Sequence, residues 1–234
     1  NVEGNFVDST VKLSEKVKLE CIYPKKAAII QTTWMKLNVS HKESIAVLHP
    51  VYGIHIEDKY NGRIYFENAS REDKSLFFIK STLEDIGLYF CSVVTYPDGI
   101  WEKVIEIIQP DKSCCLSFLC FSTDAFEVSQ KQNNHVFAKP GGIITFTCPY
   151  KTGDSVQQVM WERLKADQVD TIAVCNSSGK QSFGSDFRGR ALVDCFGQAS
   201  STLVIQNITG SDFATYRCVA TAGGNKMYVM SFTV

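Results

Sequence analysis

Nine cysteines and four Asn-x-Ser/Thr sequons are the groups in this 234-residue chain with covalent chemistry in prospect. Thiols in this number, beside sequons at Asn38, Asn68, Asn176 and Asn207, fit oxidation to disulfides and attachment of glycans, which are reactions of an oxidising, extracellular environment. The groups that support catalysis are sparse. Histidine occurs four times, at positions 41, 49, 55 and 135, and none lies in a nucleophile or metal motif. A zinc site wants four ligands at recurring spacings, and beside Cys114, Cys115 and Cys120 only His135 is near. The expectation is no catalytic residue, no metal, no cofactor and no small-molecule substrate. The 24 basic and 25 acidic side chains are nearly balanced, and the isolated pair Lys25-Lys26 reads as a solvated loop, so nucleic acid is not an expected partner.

The cysteines belong to a larger repeat. Cys21, Trp34, Arg63, Asp85, Tyr89 and Cys91 return as Cys148, Trp161, Arg190, Asp212, Tyr216 and Cys218, every one displaced by 127 positions. Such a set at one offset marks two copies of one fold. Val17-Lys18-Leu19-Glu20-Cys21 alternates apolar and charged residues with the period of a half-buried strand, and Ile144-Thr145-Phe146-Thr147-Cys148 is its counterpart. A tryptophan follows each of these cysteines by 13 residues and a second cysteine follows by 70, with a tyrosine two positions before the second. This is the Cys, Trp, Cys pattern of an immunoglobulin sandwich, in which a disulfide ties strand B to strand F and the strand C indole packs on it.

The expected class is therefore all-β, two immunoglobulin-like β-sandwich domains in tandem, the first variable-type and the second variable-like. The spacing of 70 leaves room for the C′ and C″ strands of the variable type. Residues 1–110 form the first domain, 111–127 a linker with an unusual Cys-rich insert, and 128–234 the second domain. Cys21 pairs with Cys91 and Cys148 with Cys218; Cys175 and Cys195 remain in the second domain and pair with each other. Arg63 suits an ion pair with Asp85, as Arg190 does with Asp212. Cys114, Cys115 and Cys120 leave an odd thiol that is either free or paired between chains. The chain begins without a charged n-region and apolar h-region, so a signal peptide, if one existed, is expected to have been removed; no apolar run reaches about 18 residues, so a membrane anchor is expected beyond Val234.

Recognition in such sandwiches uses end loops and exposed sheet faces, which directs attention to the F–G loop Thr95-Tyr96-Pro97-Asp98-Gly99. Pro97-Asp98-Gly99 is turn chemistry, and it holds a rigid amphipathic ring at the loop tip. In this loop the chain resembles the nectin and nectin-like family with its lymphocyte receptors, which carry Thr, Phe or Tyr, Pro, an acidic or similar residue, and Gly. The family's alanine and glycine around strands C′ and C″ are matched by Ala46 and Gly53. Its third motif, a β-branched residue, a hydroxyl residue and Gln, is met only in part, since Ile29-Ile30-Gln31 has isoleucine in the hydroxyl position.

The resemblance extends over nearly the whole chain, through segments such as Glu20-Cys21-Ile22-Tyr23-Pro24 and Val156-Gln157-Gln158-Val159-Met160-Trp161-Glu162, and it fails at residues 112 to 123. It implies the ectodomain of a single-pass activating receptor of natural killer and T cells, docking through the A′GFCC′C″ face of its first domain. Tyr96 would be a key entering a cavity on the partner, and Ala46 to Gly53 part of the lock for the partner's ring. The implied partners are the poliovirus receptor and the second nectin on opposing cells. The alternative is a homophilic or heterophilic nectin-like adhesion molecule without an immune-activating role.

Overall fold

The computed structural model describes residues 6–67, 69–110, 127–129, 134–151, 153–197 and 199–234. The chain divides into two compact units, residues 1–112 and 113–234. Cys114, Cys115, Cys120 and the sequon asparagine Asn68 lie outside the described residues.

Unit 1 contains strands β1 (Ser9–Lys12), β2 (Lys18–Leu19), β3 (Ala28–Asn38), β4 (His41–His49), β5 (Gly53–Ile56), β6 (Ile64–Phe66), β7 (Leu76–Phe78), β8 (Gly87–Tyr96) and β9 (Gly99–Ile108). One sheet runs β1-β9-β8-β3-β4-β5, with β1 parallel to β9 and the remaining pairs antiparallel; the other runs β2-β7-β6. The inward residues of both sheets form one core, with Leu19, Ile64, Leu76 and Phe78 from the smaller sheet and Trp34, Ile45, Tyr89, Val93 and Ile105 from the larger. β4 and β5 are the extra strands that make the unit variable-type.

Unit 2 repeats the plan with β10 (Glu127–Ser129), β11 (Asn134–His135), β12 (Ile143–Pro149), β13 (Val156–Leu164), β14 (Gln168–Asn176), β15 (Gln181–Phe183), β16 (Ala191–Asp194), β17 (Ser200–Gln206), β18 (Thr215–Ala222) and β19 (Lys226–Thr233). Its larger sheet runs β10-β19-β18-β13-β14-β15, and its smaller β12-β17-β16. Strict alternation of buried and accessible residues along β12, β17 and β18 shows the two-residue period that puts one face of each strand in the core.

Three disulfides close these sandwiches: Cys21–Cys91, Cys148–Cys218 and Cys175–Cys195, with Cα separations of 6.5, 6.2 and 6.1 Å. Both core indoles are satisfied, Trp34 donating to the Lys74 carbonyl at 2.8 Å and Trp161 to the Ser201 hydroxyl at 3.0 Å. The tyrosine corners are present as expected: the Tyr89 hydroxyl donates to the Asp85 carbonyl at 2.6 Å and Tyr216 to Asp212 at 2.8 Å. Each aspartate also caps a short 3-10 turn opened by Thr82 or Thr209, and each accepts from the arginine that the repeat assigned to it, Arg63 at 2.8 Å and Arg190 at 2.9 Å.

Unit 2 adds a group that the repeat does not announce. Arg163 is buried and reaches Asp170 at 2.8 Å and Asp212 at 2.9 Å, so two guanidiniums share one buried carboxylate. The equivalent position in unit 1, 127 residues earlier, is Lys36, which instead donates to the Glu84 carbonyl at 2.5 Å. Burial alone would raise the Asp212 carboxyl; hydrogen bonds from Arg190 and the Thr209 N–H, with the charges of Arg190 and Arg163, overcome it and hold the group below its ordinary range. A depressed native pKa contributes stability above the unfolded value of about 3.9, and that stability is lost as pH falls through the native value. Unit 2 is expected to weaken as pH drops below about 4, and Asp212→Asn to flatten that acid limb while costing about 3 kcal/mol near neutrality. Hydrogen exchange of the β18 amides across pH checks this, and an acid limb unchanged in the variant would contradict it.

Candidate protein-recognition face

Strand alternation sorts the larger sheet of unit 1 into two sides. Trp34, Cys91 and Ala46 share an inward row, so their neighbours in register point outward. One outward row runs Glu102, Ser92, Thr33, Val47 and His55 across β9, β8, β3, β4 and β5. A second runs Ile100, Val94 and Gln31, and the Gln31 amide donates to the Thr33 hydroxyl at 3.2 Å. Gln31 thus stands on this face, while Ile30 sits at a bulge in β3 and is exposed.

The β8–β9 hairpin ends this face. Thr95 pairs with Gly99, leaving Tyr96-Pro97-Asp98 as the loop, with a cis peptide bond between Tyr96 and Pro97. Thr95 is inward and buried, and its hydroxyl donates to the Gly99 carbonyl at 2.8 Å. Gly99 has φ of +84° with open space where a Cβ would stand, so it is glycine for the dihedral and not for room. Asp98 accepts from the Tyr23 hydroxyl at 3.0 Å. Tyr23 is itself buried and packs edge-on to Trp101 with ring centroids 5.8 Å apart. These contacts hold the loop while Tyr96 is 71% exposed and Ile100, next to it on the outward side, 72%. Tyr23 carries no motif of its own in the sequence, and only the fold brings it beside a residue 75 positions away.

The β4–β5 hairpin forms the other end of the candidate face, and here the expectation for Ala46 needs correction. Ala46 is 0% exposed and lies in register between Trp34 and Ile56, so its methyl fills the core and cannot touch a docking protein. The pleat puts Val47 on the outer side in its place. Gly53 is exposed at φ of +79° and pairs with His49 across the loop Pro50-Val51-Tyr52. His49 Nδ1 accepts the N–H groups of Val51 at 3.1 Å and Tyr52 at 3.2 Å, and the two rings lie 4.6 Å apart. That arrangement requires the proton on Nε2 and gives a structural role to a histidine that the sequence left unassigned.

The same loop in unit 2 is bare. Ala222 pairs with Lys226 as Thr95 pairs with Gly99, and the residues between are Gly223, Gly224 and Asn225. The turn is preserved without an aromatic side chain. Among the described residues no group of His, Cys, Asp or Glu is arranged to hold a metal ion, and no helix is long and apolar enough to cross a membrane. Of the glycan acceptors, Asn38, Asn176 and Asn207 are exposed.

Comparison with known proteins agrees with the fold of both units. Residues 7–108 and 131–234 each match the family model of the immunoglobulin V-set domain. The CD226 antigen of Macaca mulatta is 34% identical over 230 residues, which cover 97% of this chain and 64% of that protein. Nectin 1b of Danio rerio is 26% identical over 106 residues, 41% of this chain and 20% of its own length. Nectin-4 of Xenopus tropicalis is 30% identical over 103 residues, 42% of this chain and 19% of its own length. The chain therefore spans somewhat less than two thirds of the first of these relatives and about a fifth of each nectin.

Tyr23→Phe removes the hydroxyl that holds Asp98 and keeps the ring on Trp101. The variant is expected to lose about 1 kcal/mol of local order at the turn, read as faster amide exchange at Asp98 and Gly99 with the core amides unchanged. Exchange equal to wild type at both residues would show that the hydroxyl does not hold the loop.

Proposed function

Because this chain belongs to the immunoglobulin V-set family, we propose that it is the extracellular part of a cell-surface receptor that binds a protein on an opposing cell through unit 1. The observation that carries the reading is Tyr96: a large ring 71% exposed at the tip of a loop that the fold restrains through Thr95, Asp98 and Gly99. An exposed aromatic with its loop already ordered loses little entropy on binding, and such side chains dominate protein interfaces. Ile100, Val94 and Val47 add apolar area on the same side, and Gln31 supplies polar contact. Unit 2, with glycines in the matching loop, serves as a spacer in this reading.

The similarity to the CD226 antigen, the DNAX accessory molecule that the sequence motifs also resemble, supports the finer assignment. On it the chain belongs to an activating receptor of natural killer and T cells, anchored as a single-pass membrane protein and promoting adhesion and cytotoxic signalling. The poliovirus receptor and the second nectin are its ligands. The role is binding, with no reaction catalysed. Tyr96 enters a cavity of the ligand, and the partner's own ring meets the β4–β5 side of the face near Gly53 and Val47, with buried Ala46 shaping the strand beneath. Nectin 1b and Nectin-4 match part of the chain as well, and they support the rival reading of adhesion, including self-adhesion, through the same face.

Tyr96→Ala is expected to cost about 2 kcal/mol or more, roughly thirty-fold in Kd, toward immobilised poliovirus receptor and second nectin in surface plasmon resonance. Wild-type affinity for both in the variant would remove the assignment of Tyr96. Sedimentation of the unmutated chain at high concentration separates the two readings: self-association abolished by Tyr96→Ala would favour adhesion, and a monomer would favour the receptor.

A further inference from the structure

The tip of the β4–β5 hairpin in unit 1 is held by one side chain. His49 closes β4 and pairs with Gly53, which opens β5, so Pro50, Val51 and Tyr52 form the loop between them. Packing does little for these residues, since Val51 is 80% exposed and Tyr52 87%. Pro50 has no N–H to give, and among the described residues the N–H groups of Val51 and Tyr52 have no backbone acceptor. Both instead meet the single lone pair of His49 Nδ1, at 3.1 and 3.2 Å, while the Tyr52 ring leans on the imidazole with 4.6 Å between centroids.

That lone pair is available only in the neutral imidazole. A second proton enters at Nδ1, because Nε2 already carries one, and it turns the acceptor into a donor aimed at two donors. The titratable groups facing the ring give the added charge no compensation. They are the Tyr52 phenol on its own loop and, across the groove beneath the hairpin, Arg71 and Lys74 of the segment joining β6 to β7. Among the described residues no carboxylate lines that groove. The approach of His55 Nε2 to Glu57, 3.9 Å, lies along β5 away from the tip, where His55 pairs with Val47. Histidine ordinarily changes charge between about pH 5 and 8. A released tip can take up a proton that the ordered tip cannot, so order is present toward neutral pH and is lost as pH falls through that range.

We infer that His49 is a proton-operated catch: neutral, it orders the β4–β5 tip of unit 1, and protonated, it releases Val51 and Tyr52. The strands behind the tip are anchored independently. Leu48 and Ala46 are buried, and Ala46, Val47 and Leu48 are paired on one side with β3 and on the other with β5, so the change is confined to the loop and leaves the sandwich standing. Two large exposed side chains exchange a fixed arrangement for a mobile one, and a partner that meets them must then supply the ordering itself. Recognition by unit 1 is accordingly weaker in mildly acidic surroundings than at neutral pH. This last consequence rests on the reading that the β4–β5 end of the face touches the ligand, whereas the catch rests on the hydrogen bonds alone.

Nitrogen-15 spectra of the full chain at about pH 7.5 and about pH 5.5 test the catch. Imidazole nitrogen shifts of His49 report the proton arriving at Nδ1, and backbone relaxation at Val51 and Tyr52 is expected to show loss of order in step with it, with Trp34 and Ala46 unchanged. His49→Asn offers a carboxamide oxygen to the same amides and does not titrate, so its tip is expected to stay ordered at both pH values. His49→Phe keeps a ring beside Tyr52 without the acceptor, and its tip is expected to be loose at both. In surface plasmon resonance on immobilised poliovirus receptor, wild-type affinity is expected to fall about five-fold more between these pH values than that of His49→Asn. An Nδ1 still unprotonated at the lower pH, tip order that persists in wild type after protonation, or order lost equally in His49→Asn would overturn the inference. A tip that loosens with protonation while the two proteins share one pH dependence of binding upholds the catch and removes the β4–β5 end from the ligand-binding face.

Discussion

The bond from Cys21 to Cys91 crosses the sandwich of unit 1 where Trp34 lies buried, and it fixes which way every residue of β8 faces. With Cys91 directed inward, Ser92 and Val94 must point outward, Thr95 must return to the interior, and Tyr96 is the next residue available to solvent. A slip of one residue would exchange the two sets, burying the ring and exposing the threonine. Position on the sheet and orientation of the tip are thus consequences of one covalent tie and the two-residue period of a strand. Thr95, Asp98 and Gly99 then order the loop locally, but none of them could choose the side on which the ring emerges.

The two units show how far such a skeleton constrains and how far it leaves chemistry open. Both keep the disulfide, the indole, the tyrosine corner and the arginine on the capping aspartate. They diverge where the skeleton is indifferent. Unit 2 replaces Lys36 by Arg163 and thereby assembles a buried group of two cations with Asp170 and Asp212. Such groups contribute little to net stability over an apolar substitute, yet removing one member leaves a charge without compensation. Unit 1 spends its variation at the loop tip instead, with Tyr96, Pro97 and Asp98 where unit 2 has two glycines and an asparagine.

Much of this was legible from residue types and spacing. The common offset of 127 predicted both sandwiches, the Arg63–Asp85 and Arg190–Asp212 pairs and the tyrosine corners, because those features are set by position within one strand plan. The pairing of Cys175 with Cys195 also agrees with the structure. What stayed hidden depended on partners distant in sequence or on strand parity around a bulge. Tyr23, which follows β2 of the smaller sheet, meets Asp98 of the β8–β9 loop only in the assembled sandwich. Ala46 read as a surface residue because the motif gives its spacing from Gly53 and not the direction of its side chain. The charge of Arg71 and Lys74 becomes meaningful only when the β4–β5 hairpin folds over the segment that carries them.

Strand β3 begins in register with Tyr96 and ends at Asn38. Eleven residues of extended chain at about 3.3 Å each separate those ends by roughly 35 Å, most of the length of a sandwich. An oligosaccharide carried on Asn38 would therefore stand at the pole of unit 1 remote from the Tyr96 loop. The hairpin that supplies this acceptor asparagine thus sets its sugar a full strand's length from the exposed ring of unit 1.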